Sequence, residues 1–399
     1  MIDPLLAIGL LVACFVAYNI GGATTGPAFG PAVGAGVLPK AAAGGLMSVF
    51  FFLGAFSIGR NVVDTLGDDL VHDTAVFTLE ASILVLFFIG GALLIGNLTG
   101  APSSTSMTAV GAIAGLALAR GVLDFAVIGE ILAWWIISPV IGFWMAVMIG
   151  RYFYDDLDRI IAIEQSEGPL VKIDREATVP RPVPGEQTSR RELLGTAVVV
   201  GIGCLMAFSS GASNIANAIA PLVGSSAIAM NPGIVLGSAA VAVGAFTIAR
   251  RTMETLGNDI TDLPLTAAII VAVLSSGIVI ALSAIGIPAS FVIIATVCIV
   301  GLGWGRSTDR IPIRDAVRGT TSPQVSVGAL SEDAGAPTVG QPAIDGEAPD
   351  RRNRHTDDAE APPATSDLFD PETTVRVIVM QNVVPIVATA GSYLTFLVI

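Results

Sequence analysis

The chain has 399 residues, 53% of them hydrophobic and only 13% charged, with a formal net charge of −13. A soluble globular domain carries about twice that share of charged residues. The composition therefore excludes an ordinary soluble protein and predicts one built into a lipid bilayer, and the acidic balance excludes a nucleic-acid partner.

Apolar runs approaching or exceeding the roughly 18–20 residues that cross a bilayer recur along the chain. Spans are predicted near 4–20, 41–59, 74–96, 103–121, 124–150, 192–208, 225–249, 263–286, 288–305 and 374–398. The expected fold class is an all-α polytopic membrane protein of about ten spans. The first span lacks a positive n-region and a small-residue cleavage site, so a signal peptide is not expected. Cys14, Cys204 and Cys298 lie inside apolar spans without metal-ligand spacing, and packing is their expected role.

Two stretches rich in Asp, Glu, Pro, Gly and Arg break the pattern. The organisation predicted from them is a first transmembrane repeat (1–150), a linker loop (151–191), a second repeat (192–305), an acidic disordered loop (306–373) and a final helix (374–399). Only Lys40 and Lys172 are lysines among twenty basic residues, which points to a halophilic source. Lys40, Arg151, Arg190, Arg191, Arg250, Arg251 and Arg306 cluster near span ends on the side of the two long loops, while Arg60 and Arg120 occupy the other side. The positive-inside rule then makes the loops cytoplasmic and both termini extracytoplasmic in a plasma membrane.

Self-comparison at an offset of 190 residues brings "GRNVVDTLGDDLV" (59–71) over "ARRTMETLGNDIT" (249–261). The same offset brings "GGATTGPAFGPAVG" (21–34) over "GASNIANAIAPLVG" (211–224), and "GAPSS" (100–104) matches "GIPAS" (286–290) at a shorter one. An odd number of spans per half makes the copies inverted. Inverted repeats with Gly/Pro-interrupted segments in matching positions are the signature of secondary transporters. Four broken or re-entrant segments are expected, at 21–36, 100–106, 209–224 and 286–290. Such breaks persist only where they are buried in protein or line a hydrated cavity. Their half-helix N-termini then direct positive partial charge at the midplane, which suits an anion. For any one segment, a kink or a small-residue packing seam is the competing reading. The polar residues that four such segments carry are the candidate substrate ligands: Thr24, Thr25, Ser104, Thr105, Ser106, Ser213, Asn214, Asn217 and Ser290.

At these residues the chain resembles the inorganic phosphate transporter (PiT) family of cation-coupled symporters. That family carries a G-A/G-N-D-V-A-N-A block and then P-V-S-T-T-H in each half. Gly211-Ala212-Ser213-Asn214-Ile215-Ala216-Asn217-Ala218 follows the block closely, and Pro102-Ser103-Ser104-Thr105-Ser106 resembles the second motif. Pro288-Ala289-Ser290 keeps only the start of that motif, and "AWWIISP" (133–139) resembles the span that follows it. The departures are specific. Ala23-Thr24 and Ser213-Asn214 stand where the family has Asn-Asp, and Met107 and Ile293 replace the motif histidines. Both signature carboxylates are thus absent. What remains are amides and hydroxyls, which coordinate sodium or an oxyanion but cannot shuttle a proton.

The resemblance implies alternating-access symport of inorganic phosphate with a cation, sodium first, and no other cofactor. Sulfate or another oxyanion is the alternative substrate. A non-transporting receptor or scaffold and a passive anion channel are the alternative functions. Asn214 and Glu80 are the candidate cation ligands. Glu80 matches a family glutamate and reads either as an intramembrane ligand or as an interfacial residue at a span end. Arg60 with Asp64, and Arg250 with Glu254, read either as gating ion pairs or as solvated pairs at span ends. No P-loop, nucleophile–base pair or metal-ligand cluster is visible, so an enzyme is not expected. The implied partners are the oxyanion, the bilayer and, as a candidate, a second copy in a homodimer.

Overall fold

A bilayer offers main-chain N–H and C=O groups no partner except the segment itself, so long apolar runs must close their own hydrogen bonds as helices. The computed structural model follows this rule. It describes residues 3–34, 37–99, 104–161, 171–174, 181–184, 190–248, 265–307 and 371–399.

The first half comprises α1 (Pro4–Gly34), α2 (Lys40–Ser57), α3 (Gly59–Asp64), a π-helical turn (Thr65–Asp69), α4 (Leu79–Thr99), α5 (Thr105–Ala119), α6 (Phe125–Tyr152) and α7 (Tyr154–Ile161). In the linker, β1 (Val171–Asp174) pairs antiparallel with β2 (Arg181–Pro184). The second half comprises α8 (Arg190–Gly224), α9 (Met230–Thr247), α10 (Leu265–Ala284), α11 (Phe291–Ser307) and α12 (Pro371–Val398).

Among the described residues, eight helices are long and apolar enough to cross a membrane, and two shorter apolar helices accompany them. The two short ones, α5 and α11, occupy the predicted spans 103–121 and 288–305. With 15 and 17 residues they reach only about 22–26 Å at 1.5 Å per residue, less than a hydrocarbon core of about 30 Å. Of the expected interruption at 100–106, residues 100–103 lie outside the described residues; the chain is broken before α11, where Gly286 adopts a left-handed φ of 82°. A side chain there would meet the Thr65 hydroxyl, so only glycine suits the position.

Two of the four expected interruptions are corrected. Residues 21–34 and 209–224 are unbroken helix, the C-terminal parts of α1 and α8. Their glycines serve close helix packing instead. A Cβ on Gly21 would strike the Val241 carbonyl of α9, and one on Gly244 would strike that of Tyr18 in α1. In the same way Gly211 faces the Phe51 carbonyl of α2, and Gly54 faces that of Phe208 in α8. The hydroxyls of Thr24 and Thr25 donate to the carbonyls one turn back, of Ile20 and Gly21, which keeps polar side chains inside the helix without breaking it. Small residues let main chains approach, which is how helices associate without a hydrophobic drive between them.

These seams pack α1 on α9 and α2 on α8, while α5 packs on α12 and α6 on α11. Ile20 and Phe29 of α1 and Met47 and Phe51 of α2 are among the largest fully buried side chains. Arg60 donates to Asn231 Oδ1 at 2.6 Å and to the Phe56 carbonyl, not to Asp64. Its partner in the sequence repeat, Arg250 with Glu254, lies outside the described residues.

Candidate substrate site

The site sits where the starts of α5 and α11 meet α1 and α8. Ser104 stands at the start of α5 with extended backbone (φ −74°, ψ 106°), and its Oγ accepts from Met107 N at 3.2 Å. Ser290 occupies the same position before α11, its Oγ accepting from Ile293 N at 3.5 Å. Serine caps a helix because its short side chain satisfies one of the first-turn N–H groups that have no partner within the helix. The remaining first-turn N–H groups of both helices leave a positive partial charge at the same place.

A cavity of about 50 Å³ lies between them, lined by Ala23, Thr24, Pro27 and Ala28 of α1, Ser104 and Thr105, Met206, Ser210 and Asn214 of α8, and Ser290, Phe291 and Val292. Since one water needs roughly 10–15 Å³ by this measure, the space admits a few oxygen-sized groups. Among the described residues, no Asp, Glu, Lys or Arg lines it.

Asn214 is the hub. Its Oδ1 accepts from the Thr105 hydroxyl and from Asn217 Nδ2 at 3.1 Å, and its Nδ2 donates to Ser210 Oγ at 3.2 Å. Behind this wall, the hydroxyls of Ser106 and Ser213 both donate to the Ala289 carbonyl, at 3.0 and 2.9 Å, and Ala289 N donates back to Ser213 Oγ at 3.1 Å. Trp135 Nε1 holds the neighbouring Pro288 carbonyl at 2.7 Å. The break before α11 is thereby tied to α5, α6 and α8.

The residues expected from sequence thus divide. Thr24, Ser104, Thr105, Asn214 and Ser290 line the cavity. Ser106 and Ser213 sit one layer back, as positioning residues, and Thr25 is buried against its own helix. Asn217 is fully buried beside Asn214, and its Oδ1 has no partner. Glu80 lies exposed in the first turn of α4 and does not line the cavity. Met206 and Phe291 were not anticipated. Both are apolar residues in apolar runs, and nothing in such a run marks the one that will face a cavity.

A multi-pass helical membrane protein in which two helices begin inside the bundle around a small cavity, mostly apolar but furnished with hydroxyls and an amide, has the architecture of a transporter, not of an enzyme. The chain belongs to the phosphate transporter family, whose model matches residues 20–330. It is similar to the sulfate permease CysP of Bacillus subtilis, 29% identical over 299 residues that cover 75% of this chain and 77% of that one. It is also similar to a provisionally named phosphate permease of Pyrococcus furiosus, 24% identical over 374 residues that cover 77% and 89% of the two chains. Among solved structures, a sodium-dependent phosphate transporter shares the fold, with a TM-score of 0.63 over 100% of both chains at 17% identity.

Proposed function

We propose that the chain is a cation-coupled permease that carries a tetrahedral inorganic oxyanion across the plasma membrane by alternating access. Its family points to phosphate, and the relative in Bacillus subtilis to sulfate. The observation that carries the proposal is the convergence of two capped helix starts on one small cavity, where four hydroxyl groups, the Ser210 hydroxyl and the Asn214 amide stand in an otherwise apolar lining. Hydrogen-bond donors and helix N-termini are what an anion needs inside a bilayer.

The alternating element is one repeat moving against the other. The offset of 190 residues that relates the two TLG blocks also relates Gly21 to Gly211 and Gly54 to Gly244, and supports two copies of one unit at 1–150 and 192–305 with 374–399. Those four glycines form two crossed contacts, each joining the first helix of one copy to the second helix of the other.

The cation, with sodium as the candidate, we assign beside Asn217. Its Oδ1 is buried without a partner, and its main-chain carbonyl faces Pro221 four residues on, which has no N–H to give. Unpaired carbonyl and amide oxygens of this kind hold sodium in transporters. Glu80 is left out of the site.

Uptake of labelled phosphate and labelled sulfate into proteoliposomes, with and without an inward sodium gradient, tests the proposal. Saturable uptake that rises with the gradient is expected for at least one anion. If neither anion accumulates saturably under any gradient, the chain is not this kind of transporter. Loss of function on deleting 320–370, with Asn214→Ala and Ser104→Ala unaffected, would favour a receptor or scaffold instead.

A further inference from the structure

The substrate cavity has a neighbour. Ala28 and Met206 also line a second hollow of about 30 Å³, set toward the linker side between α1, α8 and the start of α10. Every residue around it is apolar, and three of them, Ala32, Val199 and Ile269, form a small hydrophobic cluster separate from the main core. An apolar hollow of this kind stays dry, and a dry constriction bars an ion until its walls part.

The repeat places a counterpart on the opposite side. The offset of 190 carries Val199 to Gly9 and Ala32 to Leu222, and the offset of 186 that brings residue 100 over residue 286 carries Ile269 to Ile83. These three meet as well: a Cβ on Gly9 would lie 3.3 Å from Ile83 Cγ1 and 3.4 Å from Leu222 Cδ2. Gly9 and Ile83 stand near the starts of α1 and α4, and Leu222 near the end of α8. Thus α1 and α8 run antiparallel, with one cluster at each end and the substrate cavity between them.

The two ends are not in the same state. Val16 and Ala218, the counterparts of Met206 and Ala28, are fully buried, and Leu222 and Leu86 stand where Ala32 and Ala272 face the hollow. The buried Ser82 hydroxyl donates to the Pro221 carbonyl at 2.7 Å, which ties α4 to α8 beside Leu222. The counterpart of Ser82 is Ala268, which has no hydroxyl to give the matching carbonyl of Pro31.

We infer that the two clusters are the gates of the transport cycle, and that the Ser82–Pro221 hydrogen bond latches the gate opposite the linker while the unlatched gate at Met206 is poised to open. The inference rests on the transport reading above. The anion leaves its cavity past Met206 when the start of α10, which packs on α8 and α11, parts from α1. The latch keeps the other end shut meanwhile, and it must break before the cavity opens there.

The test uses the full chain with Cys14, Cys204 and Cys298 replaced by alanine and one reporter added, either Ala32→Cys or Leu222→Cys. The rate at which a charged, water-soluble thiol reagent labels each reporter in detergent measures how often water reaches that gate. Ser82→Ala removes one net hydrogen bond from one state, so labelling at position 222 should rise about three- to tenfold while labelling at position 32 falls. Ala268→Ser supplies the missing hydroxyl and should slow labelling at position 32 and speed it at position 222. Melting curves establish that each variant is folded, and if Ser82→Ala is not, Ala268→Ser decides alone. Rates that neither substitution moves overturn the inference. So do rates that rise at both positions together, which is what the loss of a merely structural bond gives. Saturable uptake by the parent chain in proteoliposomes checks the reading beneath: with uptake intact and no reciprocal shift, the gates alone are refuted, whereas a parent that takes up neither anion removes both.

Discussion

Replacing Gly211 by alanine strikes the seam on which the cavity depends. The added Cβ would lie 2.7 Å from the Phe51 carbonyl carbon and 2.9 Å from its Cα, and closer still to the carbonyl oxygen. These are main-chain atoms of α2, so no rotamer change relieves the clash. To bring the Cβ even to 3.0 Å from that carbonyl oxygen, α2 and α8 must part by about 1 Å. Over-packing of a well-fitted core costs about 1–3 kcal/mol, and a rigid obstacle belongs at the upper end. Alanine's better helix propensity returns about 1 kcal/mol, which leaves the variant destabilised by roughly 2 kcal/mol. Since α8 also carries Ser210 and Asn214 to the cavity and Ser213 just behind it, saturable uptake should weaken along with the melting temperature. Gly201→Ala on the same helix, where a Cβ meets nothing within 4 Å, isolates the propensity effect and should melt at or above the parent. Melting in detergent and uptake in proteoliposomes are the two measurements. If Gly211→Ala melts as high as Gly201→Ala, the glycine is not holding the two helices together and the reasoning fails.

Asn214→Ala removes the hub that holds the Thr105 hydroxyl and the Asn217 amide, and leaves both buried donors without it. Uptake should fall below detection, and stability by about 2–3 kcal/mol in a thermal melt. Trp135→Phe keeps an aromatic side chain, smaller than the indole, but withdraws the hydrogen held on the Pro288 carbonyl. A loss of about 1 kcal/mol in stability and a several-fold weaker half-saturation for the anion are expected, with the protein still folded. Asp124, which caps α6 just outside the membrane span, has its carboxyl held below the ordinary aspartate range. The cause is first the Val127 N–H, with the Ala126 N–H and His72 assisting against some burial. A depressed carboxyl stabilises the fold above the unfolded-state value of about 3.9 and loses that contribution as pH falls through its own lower value. The melting temperature should therefore drop on strong acidification, and Asp124→Asn should blunt that drop.

Much of this protein was legible from its residues. Apolar content and run length alone dictate membrane insertion and helices, because partition between water and lipid depends on composition. The GIPAS segment was legible as a true break because proline and glycine cannot continue a helix cheaply, and Ser104 and Ser290 were legible as caps of the helices that follow them. The glycines at 21, 54, 211 and 244 were not decidable in the same way. A glycine among threonines or asparagines is compatible with a broken helix or with a packing seam, and the choice depends on what stands opposite. Only the fold brings the carbonyls of Val241, Tyr18, Phe51 and Phe208 against them, and that contact settles the matter in favour of continuous helices. The sharing of labour among hydroxyls is tertiary for the same reason. Ser104 and Ser290 face the cavity while Ser106 and Ser213 bind Ala289 behind it, because helix rotation and the partner across the interface set where each side chain points, and neither is written in a local stretch of sequence.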